Sequence, residues 1–248
     1  MYMKQKVLWI LAAVLFCGQV SVNAQIMKTE DLEKYAKERY GDKWVDAAAN
    51  LSKGLQLDKN NNLTYQQVIE APGKTKAQLY VMMNYWVTAT FKDKQSITLN
   101  DKETGTIIIN AAMENIATHT GGLNQYSVSI TPVIKIDIKD NKLRVTYTVQ
   151  SYDVLRDVSG GILGAVLSDN SGVFDDQKRK KQNITNRDLY DETWALNTCY
   201  PFVEKDLHTA KRTSSKALVM THAYSNAVMD KIEEAVKNGI VGNEDEDW

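Results

Sequence analysis

Two runs of strict apolar–polar alternation meeting at a two-residue turn constrain this chain more than any other feature. Val128, Ile130, Pro132, Ile134, Ile136 and Ile138 fall on one side of the first run, with Ser127, Ser129, Thr131, Lys135 and Asp137 on the other. After Asp140-Asn141 the pattern returns in Leu143, Val145, Tyr147 and Val149. A period of two around a short Asp-Asn turn is the signature of a β-hairpin with one buried face and one wet face. Such a sheet needs a cover, and helices on one side supply it. Proline has no N–H to give to a ladder, so Pro132 predicts an edge strand or a bulge at that point.

The rest of the chain reads around this hairpin. Residues 29–52 predict a surface helix or helix pair: Leu32, Tyr35 and Ala36 share a face, Gly41 breaks it, and Trp44, Val45, Ala48 and Leu51 resume it. A turn over residues 58–62 and a β-like segment over 63–70 end at Ala71-Pro72-Gly73. Residues 74–91 predict a helix whose Leu79, Met82, Met83 and Trp86, with Tyr80, Tyr85, Val87 and Phe91, cover most of its circumference, as in a helix packed on more than one side. Alternation then predicts four strands between residues 96 and 152. Residues 154–190 lose all period and predict an irregular loop. A long helix over 206–237 follows, with Leu218, Thr221, Ser225, Val228, Ile232 and Val236 on one face, Gly239 as its cap and an acidic tail at 244–247.

The first two dozen residues predict export. Lys4 and Lys6 precede ten unbroken apolar residues at 7–16, and Val22-Asn23-Ala24 offers small residues for cleavage. Ten apolar residues are about half a membrane span, so no transmembrane anchor is expected after cleavage. Phe16 and Leu15 before Cys17 are too bulky for lipidation. The expected division is a signal peptide at 1–24, an N-terminal helical segment at 25–57, a β-α-β4 core at 58–153, the loop at 154–190, and the long helix with its tail at 191–248.

Chemistry-bearing motifs are sparse. Asp58, Asn60 and Asn62 have the spacing of a calcium loop, but Leu63 stands where glycine is needed and Ile69 where the bidentate carboxylate belongs. Gly73-Lys74-Thr75 resembles the end of a phosphate loop whose earlier glycine is Val68. His119, His208 and His222 form no local metal pair, so no cofactor and no metal are expected. Cys199, the one thiol of the mature chain, with His208 and Asp206 could compose a nucleophile, base and orienter, though no glycine-framed turn surrounds it. The basic run 178–181 is flanked by Asp175, Asp176, Asp188 and Asp191, which partly cancel its field.

Tyr40-Gly41-Asp42-Lys43-Trp44, Leu57-Asp58-Lys59-Asn60-Asn61 and Leu63-Thr64-Tyr65-Gln66-Gln67-Val68-Ile69 resemble a secreted family of Gram-negative gut bacteria. So do Ala71-Pro72-Gly73-Lys74-Thr75-Lys76, Asn84-Tyr85-Trp86, Leu99-Asn100-Asp101-Lys102 and His119-Thr120-Gly121-Gly122. The likeness continues through Ile134-Lys135-Ile136-Asp137-Ile138-Lys139-Asp140 and Val145-Thr146-Tyr147-Thr148. The family is domain of unknown function 4468, with a TBP-like fold. The resemblance implies an α+β chain with an antiparallel sheet in β-α-β4-α order, TBP-like or helix-grip-like, and no activity. The fold name does not bring nucleic acid with it: thirty basic against thirty-one acidic side chains leave a net charge of −1, without the positive field such binding needs.

The expected function is a non-enzymatic binding protein of the periplasm or cell envelope, with an apolar cavity between the sheet and the C-terminal helix. Trp86, Ile134, Ile136, Tyr147, His222 and Met229 are its candidate ligand-binding residues, and a hydrophobic small molecule or an envelope protein its partner. The alternatives are a structural or assembly protein of the envelope, and a hydrolase centred on Cys199 and His208.

Overall fold

A computed structural model describes residues 26–91, 96–120, 125–157 and 189–239. The predicted export segment, the basic run, the rest of residues 158–188 and the acidic tail lie outside them. Among the described residues no helix is long and apolar enough to cross a membrane.

Helix α1 (Thr29–Tyr40) starts with Glu30 and Asp31, ends with Lys37 and Arg39, and so matches its charges to its dipole. Gly41, at φ 86°, lets the chain turn into α2 (Trp44–Ser52). The calcium-like segment is a plain turn, in which the Asp58 carboxylate accepts from the backbone of Asn60 and Asn62 at 2.8 and 2.9 Å. Strand β1 (Leu63–Glu70) leads to α3 (Lys76–Thr90), opened by a capping box between Thr75 and Gln78. The remaining strands are β2 (Ile97–Asp101), β3 (Thr106–Asn110), β4 (Met113–His119), β5 (Gln125–Ile130), β6 (Val133–Lys139), β7 (Lys142–Val149), β8 (Ser151–Asp157) and β9 (Leu189–Ala195). The long helix α4 spans Lys211–Asn238.

The antiparallel α+β architecture is the expected one, but seven strands occupy the stretch where the alternation predicts four. They belong to two sheets, ordered β1-β7-β6-β3-β2 and β4-β5-β8-β9. The difference is one of corners. Strands β3, β6 and β7 lie side by side in the first sheet, and their continuations β4, β5 and β8 lie side by side in the second. The chain crosses at residues 111–112, 131–132 and 150. The predicted four strands are therefore the short β2 and three long bent ones, with β1 beside β7 and β9 beside β8. Pro132 marks a corner rather than a bulge or an edge. It is buried between strands, and its carbonyl accepts from Ala111 N of the neighbouring corner at 3.0 Å. Strand β8 runs to Asp157 and β9 starts at Leu189, so the aperiodic stretch is shorter than 154–190.

The hairpin turn is anchored from outside. Asn141, at φ 63°, accepts through its backbone oxygen from Ala71 N at 2.7 Å and through its side chain from Gly73 N at 2.9 Å. Asp140 accepts from Lys76 N at 2.6 Å, which ties the same turn to the start of α3. The two turn residues thus fix the helix to the sheet as well as reversing the chain.

Helix α4 begins at Lys211, later than the sequence pattern suggests. It touches β1 and β4 on one side and α1, α2 and α3 on others. Seventeen of its residues are buried, including Ser214, Ser215, Ala217, Ala223 and Ala227. These side chains are small enough to be covered on a nominally polar face. Hydroxyls there return to the helix backbone, as in Ser215 to Lys211 O and Thr221 to Ala217 O, both 2.7 Å. Helix α3 departs from expectation in the opposite sense. Leu79, Met83, Trp86 and Val87 are buried, but Val81 and Tyr85 remain 67% and 52% exposed, so one apolar side has no cover among the described residues.

Candidate functional site

The expected ligand-binding residues divide into a group and two outliers. Ile134, Ile136 and Tyr147 share the inner face of the first sheet, Tyr147 directly opposite Ile134 on β6 and Tyr65 on β1. The His222 ring lies 5.2 Å from that of Tyr65 and 5.4 Å from that of Tyr40. Tyr147 in turn meets Tyr65 at 5.9 Å and Tyr224 at 6.2 Å, edge to face. Trp86, by contrast, sits on α3 with its ring against Phe91, and Met229 is buried towards the far end of α4. Ile134, Ile136 and Tyr147 are wholly buried, so they border neither bulk water nor a void that could take a water molecule. An apolar ligand among them would have to displace packed side chains.

Polar atoms inside this group lack partners. The hydroxyls of Tyr65 and Tyr147 and Nδ1 of His222 are buried without a hydrogen bond among the described residues. Burial pushes both tyrosine hydroxyls well above the usual phenol range, and burial with the Arg39 charge holds His222 below the usual imidazole range. An unmade hydrogen bond in a dry core costs stability. Tyr147→Phe should therefore leave the urea midpoint unchanged or raise stability by about 1 kcal/mol. A measurable loss would show that the hydroxyl has a partner after all.

The Cys199 corner forms no nucleophile. Burial, with the Asp206 charge nearby, pushes the thiol up to about 12. At neutral pH about one thiol in 10⁵ would then be ionised. His208 lies with its Nε2 at 2.7 Å from Thr198 Oγ1 and stacks on Trp194. Asp206 does not orient the His208 ring. Its carboxylate accepts from the backbone N–H of Tyr200, His208 and Thr209 and from the Ser214 hydroxyl. Among the described residues no cluster of three or more His, Cys, Asp or Glu is placed to hold a metal ion.

A polar cleft of about 630 Å³ opens elsewhere, where α1, the start of α2, the end of β4 and the start of α4 converge. Glu33 and Lys37 come from α1, Asp42 from the α1–α2 turn and Trp44 from the first position of α2. Thr118, His119 and Thr120 come from β4 and its end, and Arg212, Thr213 and Lys216 from α4. Glu33 binds Lys37 and Lys216 at 2.7 Å each. Burial alone would raise the Glu33 pKa, but the two ammonium groups outweigh it and hold the carboxyl below its usual range. The same ammonium groups lie 5.8 and 5.7 Å from the Trp44 ring, so the indole helps to hold them in place. Arg212 has no ion-pair partner among the described residues. The volume is within the range of small-molecule sites.

Sequence reasoning does not gather these residues. Its one available signal is the start of α4: Lys211 and Arg212 occupy the first turn, with no acidic residue, against the preference set by the helix dipole. A helix start near 206 conceals that signal.

No curated protein matches the chain. Two solved structures are similar. One is a TBP-like protein from Parabacteroides distasonis ATCC 8503, 14% identical over 73% of this chain and 96% of its own, with a TM-score of 0.44. The other is a DUF4468 family protein from Bacteroides ovatus ATCC 8483, 12% identical over 71% of this chain and 88% of its own, with a TM-score of 0.40. A family model matches residues 65–153, which run from within β1 into β8 and contribute only Thr118, His119 and Thr120 to the cleft. Over that stretch the chain matches the model of the family described as a domain of unknown function (DUF4468) with TBP-like fold.

Proposed function

We propose that this is an exported, non-enzymatic binding protein of the periplasm or cell envelope, and that its ligand occupies the cleft between α1, β4 and the start of α4. The signal-like N-terminus supports export. The carrying observation is the cleft itself: eight charged or hydroxyl-bearing side chains, an imidazole and an indole converge from separate elements on a space the size of a small molecule. The buried, un-ionised thiol supports a non-catalytic role.

Ala210 lines the cleft at the N-cap of α4 and is exposed, with an extended backbone that accepts any side chain, so Ala210→Trp fills the space without touching the core. Ligand-observed NMR of the full exported chain against a small-molecule library should give hits whose binding falls about tenfold or more in Ala210→Trp. Hits that bind both proteins equally, or no hits at all, would overturn the reading. The uncovered side of α3, with Val81 and Tyr85, favours the alternative of an envelope assembly protein. That alternative expects a defined larger cross-linked species in whole cells, insensitive to Ala210→Trp.

A further inference from the structure

We propose that the cleft takes a small organic anion, with its carboxylate, sulfate or phosphate oxygens at the start of α4 and a polar body over Thr118, His119 and Thr120. This rests on the cleft being the binding site. Three features point to negative charge. The first is the helix start: α4 is 28 residues long, its N-cap Ala210 offers no side-chain cap, and no acidic residue stands in its first turn. Thr213 and Ser214 donate their N–H groups to Ala210 O and the Asp206 carboxylate takes the Ser214 hydroxyl, which leaves the N–H groups of Lys211 and Arg212 and the partial positive charge of the helix start to favour an anion there.

The second is independent of the helix dipole. Thr213 is only 6% exposed and lines the cleft, yet its hydroxyl bonds to no described residue. It is not sealed in like the Tyr147 hydroxyl, so the cleft is the space open to it. A buried donor left facing a cleft is a group prepared for a ligand oxygen. The third is the balance of charge at the walls. Lys37 and Lys216 are already shared by Glu33, which leaves Arg212 as the cation without an ion pair among the described residues and Asp42 as the opposing carboxylate. His119 adds a ring at the β4 end, against Tyr126 at 6.0 Å. The body of the ligand meets hydroxyls, a carboxylate and an imidazole rather than an apolar wall, which suits a polyhydroxylated molecule.

Calorimetric titration of the full chain at low ionic strength tests this with four probes: glucuronate, glucose 6-phosphate, glucose 6-sulfate and uncharged glucose. At least one charged sugar should bind about tenfold or more tightly than glucose, and the order among the three identifies the oxyanion. Arg212→Glu should weaken that binding by about tenfold, and Thr213→Val by about threefold. Asp42→Asn should tighten it by a factor of about two to five, because a like charge is removed. That gain cannot come from misfolding. Equal affinity for glucose, no charged probe bound, or no change in Arg212→Glu would overturn the proposal. If uncharged glucose binds as well as the charged sugars and Ala210→Trp abolishes it, the cleft remains the binding site and only its anion preference falls; if Ala210→Trp affects no ligand, both fall.

Discussion

Trp194→Ala is expected to cost about 3–5 kcal/mol, read as a fall in the denaturant midpoint, and against a typical total of about 5–15 kcal/mol this would bring the protein close to unfolding. The size of the effect follows from what the indole holds together. Trp194 is 2% exposed, stacks on His208 with centroids 4.7 Å apart and planes 8° apart, and meets Tyr126 edge-on at 5.4 Å. Its N–H donates to Glu192 at 2.9 Å, and Glu192 also takes Arg156 at 3.0 Å. The residue therefore joins β9, β5 and the segment leading into α4. Trp194→Phe keeps a ring but loses the donor and should cost less, about 1–2 kcal/mol. A loss below about 1 kcal/mol for the alanine variant would mean that β9 is an appendage rather than part of the sheet.

The second large effect belongs to Asp206. Its carboxylate accepts from Tyr200 N at 3.0 Å, His208 N at 2.8 Å, Thr209 N at 2.7 Å and the Ser214 hydroxyl. One side chain thus closes the approach to α4 and pins the helix's own first turns. Asp206→Ala should cost about 2–4 kcal/mol at neutral pH, since hydrogen bonds to a charged acceptor are worth more than neutral ones and their donors are left behind. Burial pushes this carboxyl up, but the Ser214 hydroxyl and the three backbone donors outweigh it, and the folded pKa lies below the ordinary value. A lowered folded pKa contributes stability above the unfolded pKa, about 3.9, and loses it as pH falls through the folded value. Denaturation midpoints of wild type and Asp206→Ala should therefore differ most at neutral pH and converge as pH falls through the lowered folded pKa. A difference that persists unchanged in acid would mean that the carboxylate charge contributes nothing.

The hairpin, the turn at Asp140-Asn141 and the capped helix α3 are each written in a few adjacent residues, and they stand as expected. The corners are harder to read. From Val128 to Ile138 the buried positions keep the same parity through Pro132, so the alternation runs on while the strand does not. At residues 111–112 the parity also holds, from Ile107 to Met113, and it slips at the β7–β8 corner and inside β4. Buried Val149 is followed by Tyr152 at the corner, and within β4 Met113 is followed by Ile116 and Ala117 at a break in register beside Asn115, at φ 56°. That slip is a mark of a bend, visible only once two residues are allowed to fall out of phase. The burial of α4 escapes a hydropathy pattern because Ser, Ala and Thr can be enclosed without being strongly apolar. The inner-face residues Ile134, Ile136 and Tyr147 are legible as core, since alternation assigns a face. The cleft is not, because Lys37, His119 and Arg212 come from elements far apart in the chain and no local spacing relates them.

The bent strands set how the molecule comes apart. Because three of them belong to both sheets, opening one sheet releases strand ends that the other sheet holds, which couples the two. Residues on either side of Pro132 are links in one chain of backbone bonds that crosses the whole body. Melting of the two sheets should accordingly be coupled, with the corners as a shared keel rather than a hinge between two halves.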